Sequence, residues 1–166
     1  EALRVKFSEL LAARGETDAA VAELLQLAQE LADGGQPSDA ITHLKKALLL
    51  DPSRADVLLT LAELSEPAGI VDEALAAWES LSRLYEETAD NRELCRALES
   101  LVRLQPGNPA PLARLARLLD ESEEHAQAGE AYNRLLALNR EAGREADNIA
   151  VLRRLAELNG NDRAIL

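Results

Sequence analysis

The chain of 166 residues carries one Phe, one Trp, two Tyr, one Cys and no Met, so its core has to be built from Leu and Ala, and neither a disulfide framework nor an aromatic-rich sandwich is available to it. A formal charge of −12 at pH 7 repels phosphate, which excludes general nucleic-acid or anionic-membrane binding, and no run of about 18 apolar residues offers a membrane span. The acid is concentrated in the front: residues 1–91 hold 18 acidic against 7 basic side chains, residues 92–166 hold 12 against 11.

The apolar pattern predicts nine helices, in three triplets that repeat every 54 residues, about 1–54, 55–108 and 109–162. In the first triplet, Phe7 and Leu10 mark a helix over 2–13. Gly15 breaks it, and Ala20, Leu24 and Leu27 mark a second over 17–32. The stretch Gly34-Gly35-Gln36-Pro37-Ser38 interrupts next, and Ile41, Leu44, Ala47 and Leu50 mark a third helix over 38–51 that ends at Asp51-Pro52-Ser53. In the second triplet, Leu61, Ala62 and Leu64 mark 56–66; Ala74, Trp78 and Leu81 mark 71–87; Cys95, Leu98, Leu101 and Leu104 mark 92–105. In the third, Leu115, Ala116 and Leu118 mark 110–120; Ala128, Tyr132 and Leu135 mark 125–140; Ile149, Leu152, Leu155 and Leu158 mark 146–159. Ser38 and Asn91 are the expected N-caps. No segment alternates as a half-buried strand does.

Ala20, Ala74 and Ala128 share one repeat position, where a methyl lets two helix backbones approach to about 8 Å while the large residue four positions on fills the groove. In a 34-residue frame, Leu24, Leu27, Ala28, Leu31, Ala40, Leu44, Ala47 and Pro52 resemble the tetratricopeptide repeat pattern. Trp78, Leu81, Ser82, Tyr85, Leu94, Leu98, Leu101 and Pro106 resemble it again, and Leu112, Leu115, Ala116, Leu119, Ala128, Tyr132 and Leu135 give a third copy. The departure from the family is the third helix in each 54-residue triplet. The resemblance implies an all-α fold, a right-handed α-solenoid of about nine antiparallel helices forming a single domain over 1–166. The start at Glu1 points to an excerpt of a longer protein. The excess of Arg over Lys, 15 to 3, points to a bacterial source.

Little suggests catalysis, and no catalytic, cofactor or metal residues are assigned. Cys95 shares its position with Ile41 and Ile149, which predicts a buried, inert thiol. His43 and His125 are expected to be surface or partly packed side chains. Glu86-Glu87, Asp120-Glu121 and Glu123-Glu124 read as solvated helix ends, and Trp78 and Tyr132 as core rings. The resemblance brings to mind the family's carboxylate clamp, Lys and Asn one turn apart, but the matching pairs are Leu25 and Gln29, Leu59 and Glu63, Glu79 and Arg83, Ala113 and Arg117, which do not support it.

The partner-binding groove is therefore expected along the first helices, at Val5 and Glu9, Leu59 and Glu63, Ala113 and Arg117, a face that runs from acidic-apolar to basic. The expected function is a non-enzymatic scaffold that binds a peptide or helix of a partner protein in a larger bacterial assembly or signalling system. Two alternatives stand beside it: a self-associating structural segment, with homo-oligomers, or a regulatory helical domain of a larger enzyme or transcription factor. A cytoplasmic location is expected, with the periplasm left open.

Overall fold

A computed structural model describes residues 1–163. Among them run nine α-helices: α1 (Ala2–Ala13), α2 (Thr17–Asp33), α3 (Pro37–Leu50), α4 (Ala55–Ser65), α5 (Val71–Glu87), α6 (Asn91–Leu104), α7 (Pro109–Glu121), α8 (His125–Glu141) and α9 (Asn148–Arg163), the last preceded by a 3₁₀ turn at Glu145–Asp147. The described residues contain no strand. The chain divides into two compact units, Glu1–Thr88 with α1–α5 and Ala89–Leu166 with α6–α9. The division falls between α5 and α6, inside the second 54-residue triplet.

Within each unit every helix packs on the next in sequence. With linkers this short, successive helices must run antiparallel, and Arg4 near the start of α1 accordingly pairs with Glu30 near the end of α2. Ala20, Ala74 and Ala128 are all fully buried, and Leu24, Trp78 and Tyr132 are buried one turn on. The rings also carry a polar partner: Trp78 Nε1 donates to Glu66 Oε1 and the Tyr132 hydroxyl to Asp120 Oδ2 at 3.4 Å. Glu66 and Asp120 are themselves one repeat apart, and the first triplet puts Ala12 and Leu24 at the two positions. Acid and aromatic thus change together with an apolar pair, as a buried N–H or O–H needing an acceptor requires.

The turns repeat as strictly as the helices. Among the described residues six have positive φ: Gly15, Gly69 and Glu123 form one series at 54-residue spacing, and Gly35, Ala89 and Gly143 the other. After α1 the amide of Gly15 donates to the carbonyl of Ala12 and that of Glu16 to Leu11. After α7, Glu123 donates to Asp120 and Glu124 to Leu119, the same double closure. This closure makes the helix hairpin tight, and it demands a left-handed residue that glycine accepts most cheaply.

The starts of α1, α2, α5 and α8 fall where expected, and the other five differ by one or two residues. Ser38 lies inside α3, which begins at Pro37 with its ring at the first position, where a missing N–H costs nothing. Asp90 rather than Asn91 caps α6, accepting from the amide of Glu93, and Asn108 caps α7, accepting from Ala110. Two larger corrections concern the ends of the pattern. Phe7 and Leu10 of α1, and Ile149 and Leu152 of α9, are exposed, whereas Leu61, Leu115, Ile41, Leu44 and Leu98 at their sister positions are buried. His43, expected at or near the surface, is buried with Nε2 3.2 Å from Glu1 Oε1, in keeping with its buried sisters Ala97 and Val151.

Candidate functional site

The first compact unit holds a cleft of about 310 Å³. Lys45, Leu48 and Leu49 of α3 form one side, Leu58 and Leu61 of α4 the floor, and Glu73, Ala76, Ala77 and Ser80 of α5 the other side. The four α5 residues are spaced i, i+3, i+4, i+7, one face of that helix, and two alanines there leave the room that larger residues would fill. Lys45 and Glu73 form an ion pair between the two sides.

The second unit holds a cleft of about 420 Å³ lined by Glu99, Val102 and Arg103 of α6, Leu112, Leu115 and Leu119 of α7, and Gln127, Glu130, Ala131 and Arg134 of α8. Each of the residues lining the first cleft has its counterpart here 54 positions on. The added one, Leu119, stands where the first triplet junction has Ser65. The inner wall keeps its character: Leu48 answers to Val102, Leu58 to Leu112, Leu61 to Leu115 and Ala77 to Ala131. The rim does not: Lys45 becomes Glu99, Leu49 becomes Arg103, Glu73 becomes Gln127, Ala76 becomes Glu130 and Ser80 becomes Arg134. Both cavities fall in the size range of clefts that take apolar groups, the first with a rim that mixes Leu49 and Ala76 with the Lys45–Glu73 pair and the second with a rim of alternating charge.

None of the six groove residues expected from the sequence lines either cleft. Val5, Leu59 and Ala113 are half-buried on α1, α4 and α7, with Glu9, Glu63 and Arg117 exposed one turn on. On α4 the cleft-facing pair is Leu58 and Leu61, and a step of one residue turns a side chain by about 100°, so Leu59 leaves that face. The missed signal lay in reading three helices together: small residues at 76, 77 and 131 beside leucines at 58, 61, 112 and 115.

Cys95 is half-buried rather than buried and lines a wider recess of about 620 Å³ with Asn91, Arg92, Glu99, Leu118 and Glu124 among others. Burial, then the carboxylates of Glu99 and Glu124, push its thiol above the ordinary value, so the thiolate is disfavoured and the group is a poor nucleophile. Asp120, expected at a solvated helix end, is instead a junction: its side chain is 10% exposed and accepts from Nε and Nη2 of Arg154 and from the Tyr132 hydroxyl, with His125 Nδ1 at 3.7 Å. The paired Arg154 holds its carboxyl below the usual range against the opposing effect of burial. Asp120 thereby ties α7, α8 and α9 together. Among the described residues no group of three or more His, Cys, Asp or Glu side chains is placed to hold a metal, and no helix is long and apolar enough to cross a membrane.

The sequence model of the tetratricopeptide repeat family matches residues 21–64, from α2 into α4. No curated protein matches the chain. Among solved structures, the nearly identical TPR-like repeats of a Podosopora anserina protein described as a kinesin light chain superpose with a TM-score of 0.50 at 18% identity, over 98% of this chain and 88% of that one. MamA from Desulfovibrio magneticus RS-1 (TM-score 0.39, 18% identity, 84% and 95%) and a tetratricopeptide repeat protein from Parabacteroides merdae (0.39, 20%, 85% and 60%) are also similar. Repeats of this type generally mediate contacts between proteins. Residues 21–64 thus match the tetratricopeptide repeat, and the helical triplets with their alanine crossings have a fold similar to that of the TPR-like repeats.

Proposed function

We propose that this chain is a non-catalytic scaffold that holds a helix or extended segment of a partner protein by seating the partner's apolar side chains in the repeated cleft. The observation that carries the reading is the pair of clefts 54 residues apart, with a constant apolar wall and a variable rim. A wall of Leu58, Leu61 and Ala77 supplies an apolar slot of the kind that anchors i, i+4 residues of a docked helix, and the rim selects what flanks the anchor. The first cleft favours apolar flanks around Leu49 and Ala76; the second favours flanks that pair with Glu99, Arg103, Glu130 and Arg134. Membership of a larger assembly follows from such a role, since a scaffold of this kind acts through what it brings together.

The test is selection of helical peptides from a displayed library on the 166-residue chain. Binders should carry Leu, Phe or Met at i and i+4, and those of the first cleft should be lost with Leu49→Glu, a residue 83% exposed whose change leaves the fold intact. Grafting the second rim onto the first with Leu49→Arg, Ala76→Glu and Ser80→Arg should shift selection toward charged flanks. Binders indifferent to both changes but sensitive to Glu63→Lys or Arg117→Glu would move the site to the Val5, Glu9, Leu59, Glu63, Ala113 and Arg117 positions and refute the cleft.

A further inference from the structure

The rim charges of the second cleft are sorted along its length. α6 and α8 both pack on α7, which forms the floor, and both run antiparallel to it, so the two walls point in the same direction. Each wall carries Glu first and Arg four residues on, Glu99 and Arg103 on α6, Glu130 and Arg134 on α8, a step of about 6 Å along the helix axis. The sister cleft fixes the level of one wall against the other. There Lys45 and Glu73 pair across the gap, and their counterparts are Glu99 and Gln127, the latter one turn before Glu130. Both acids therefore lie toward the Leu119 end of the floor and both bases toward the Leu112 end, and Glu99 accordingly shares the neighbouring recess with Leu118 and Leu119. All four charged side chains are exposed, and among the described residues Glu130 and Arg134 make no ion pair. The first cleft lacks this order: Lys45 and Ala76 stand at the acid positions, Leu49 and Ser80 at the basic ones.

Resting on the reading of these clefts as slots for a partner's apolar side chains, we propose that the second cleft accepts a partner helix in one direction only, set by the order of charge on that helix. The ligand carries two apolar anchors four residues apart, with an acidic residue just before the first and a basic residue just before the second. It runs antiparallel to α6 and α8, so that its dipole opposes those of both walls. Its acid then lies over Arg103 and Arg134 and its base over Glu99 and Glu130, the four-residue spacing matching the step along the rim. The same order puts acid toward the ligand's N-terminus and base toward its C-terminus, where its own dipole favours them. A helix with the two charges exchanged brings acid onto Glu and base onto Arg, and is rejected by repulsion as well as by lost attraction. Arg103 also donates to Ser100 Oγ of its own helix at 3.2 Å, so α8 supplies the rim charges with the fewest other ties.

Fluorescence anisotropy on the 166-residue chain carrying Leu49→Glu, which closes the first cleft to apolar anchors, tests it with two labelled peptides of equal composition. One contains Glu-Leu-Ala-Ala-Lys-Leu and the other Lys-Leu-Ala-Ala-Glu-Leu in the same flanks, both held helical by a cross-link on the outer face. The first should bind about tenfold tighter than the second at low salt, and about 0.5 M sodium chloride should remove most of the difference. Exchanging the α8 pair, Glu130→Arg with Arg134→Glu, sets the two walls against each other and should bring the peptides within about twofold, with helical circular dichroism unchanged. Tighter binding of the second peptide overturns the direction. Equal binding of both overturns the ordering by charge and leaves the cleft a slot for apolar anchors, whereas binding of neither overturns the slot itself. A preference that survives the α8 exchange places the peptide elsewhere and overturns the proposal.

Discussion

Adding glycine should stabilise this protein at two positions. Ala89 and Glu123 sit at φ +54° and +61°, in the two repeat series whose other members are Gly35 and Gly143, and Gly15 and Gly69. A left-handed conformation costs an L-residue about 1–2 kcal/mol, of which glycine returns about 0.5–1 kcal/mol through its greater freedom in the unfolded chain. The net gain is roughly 0.5–1 kcal/mol for each of Ala89→Gly and Glu123→Gly, or about 1–2 kcal/mol together, which for a chain of this size is a rise in melting temperature of roughly 2–8 °C. Glu123→Asn, which tolerates the left-handed region better than Glu, should capture part of it. Thermal and urea unfolding followed by far-ultraviolet circular dichroism read the whole chain, while Trp78 fluorescence reads the first compact unit, where neither substitution lies. Two controls bound the argument. Gly143→Ala, at the sister position of Ala89, should lose about 1 kcal/mol, and Gly129→Ala, inside α8 with nothing within 4 Å of the added methyl, should gain up to about 1 kcal/mol. If Ala89→Gly and Glu123→Gly both lower stability, the repeated left-handed turn is not what closes these hairpins.

Three further outcomes follow from the packing. Trp78→Ala should cost about 3–5 kcal/mol by urea denaturation, and Trp78→Leu with Glu66→Ala, which copies the Leu24 and Ala12 pair, should cost less; a loss under about 1 kcal/mol for Trp78→Ala would remove the ring from the core. Ser65 is fully buried with a hydroxyl that has no hydrogen-bond partner, at a position where its sisters are Leu11 and Leu119, so Ser65→Ala should raise the urea midpoint by a margin equal to about 1 kcal/mol; a fall would mean the hydroxyl is satisfied. Asp120 has a folded value below its unfolded one near 4, so its contribution is complete above that unfolded value and is lost as pH falls through the folded value. Asp120→Asn should lower the urea midpoint at pH 7 and flatten its decline below pH 4, and an unchanged acid limb would separate Asp120 from the stability of α7, α8 and α9.

Most helix ends could be read from the chain because glycine and proline punctuate a leucine-alanine pattern that repeats, so Gly15, Gly69 and Pro109 each mark a boundary without help from packing. Capping was less legible, since Gln36-Pro37-Ser38 and Asp90-Asn91 each offer two neighbouring candidates and local geometry decides between them. Exposure was misread in the first and last helices, where Phe7 and Ile149 share the spacing of buried residues but stand exposed. The clefts escaped because each is an agreement among three helices: the apolar stripe of α4 includes Leu61, but the groove expected from the family's clamp positions falls at Leu59 and Glu63. Asp120 looked like an ordinary terminal acid because Arg154, which gives it its place, lies 34 residues away.

The two clefts divide their lining between parts under different constraints. Leu58, Leu61, Leu112 and Leu115 serve stability and recognition at once, so altering one risks unfolding the protein. Leu49, Ala76, Arg103 and Glu130 are exposed and spend almost nothing on folding. A lineage could therefore retune what each slot accepts by drift at a few outer positions, leaving the framework untouched, and a protein engineer could follow the same route by randomising those positions alone.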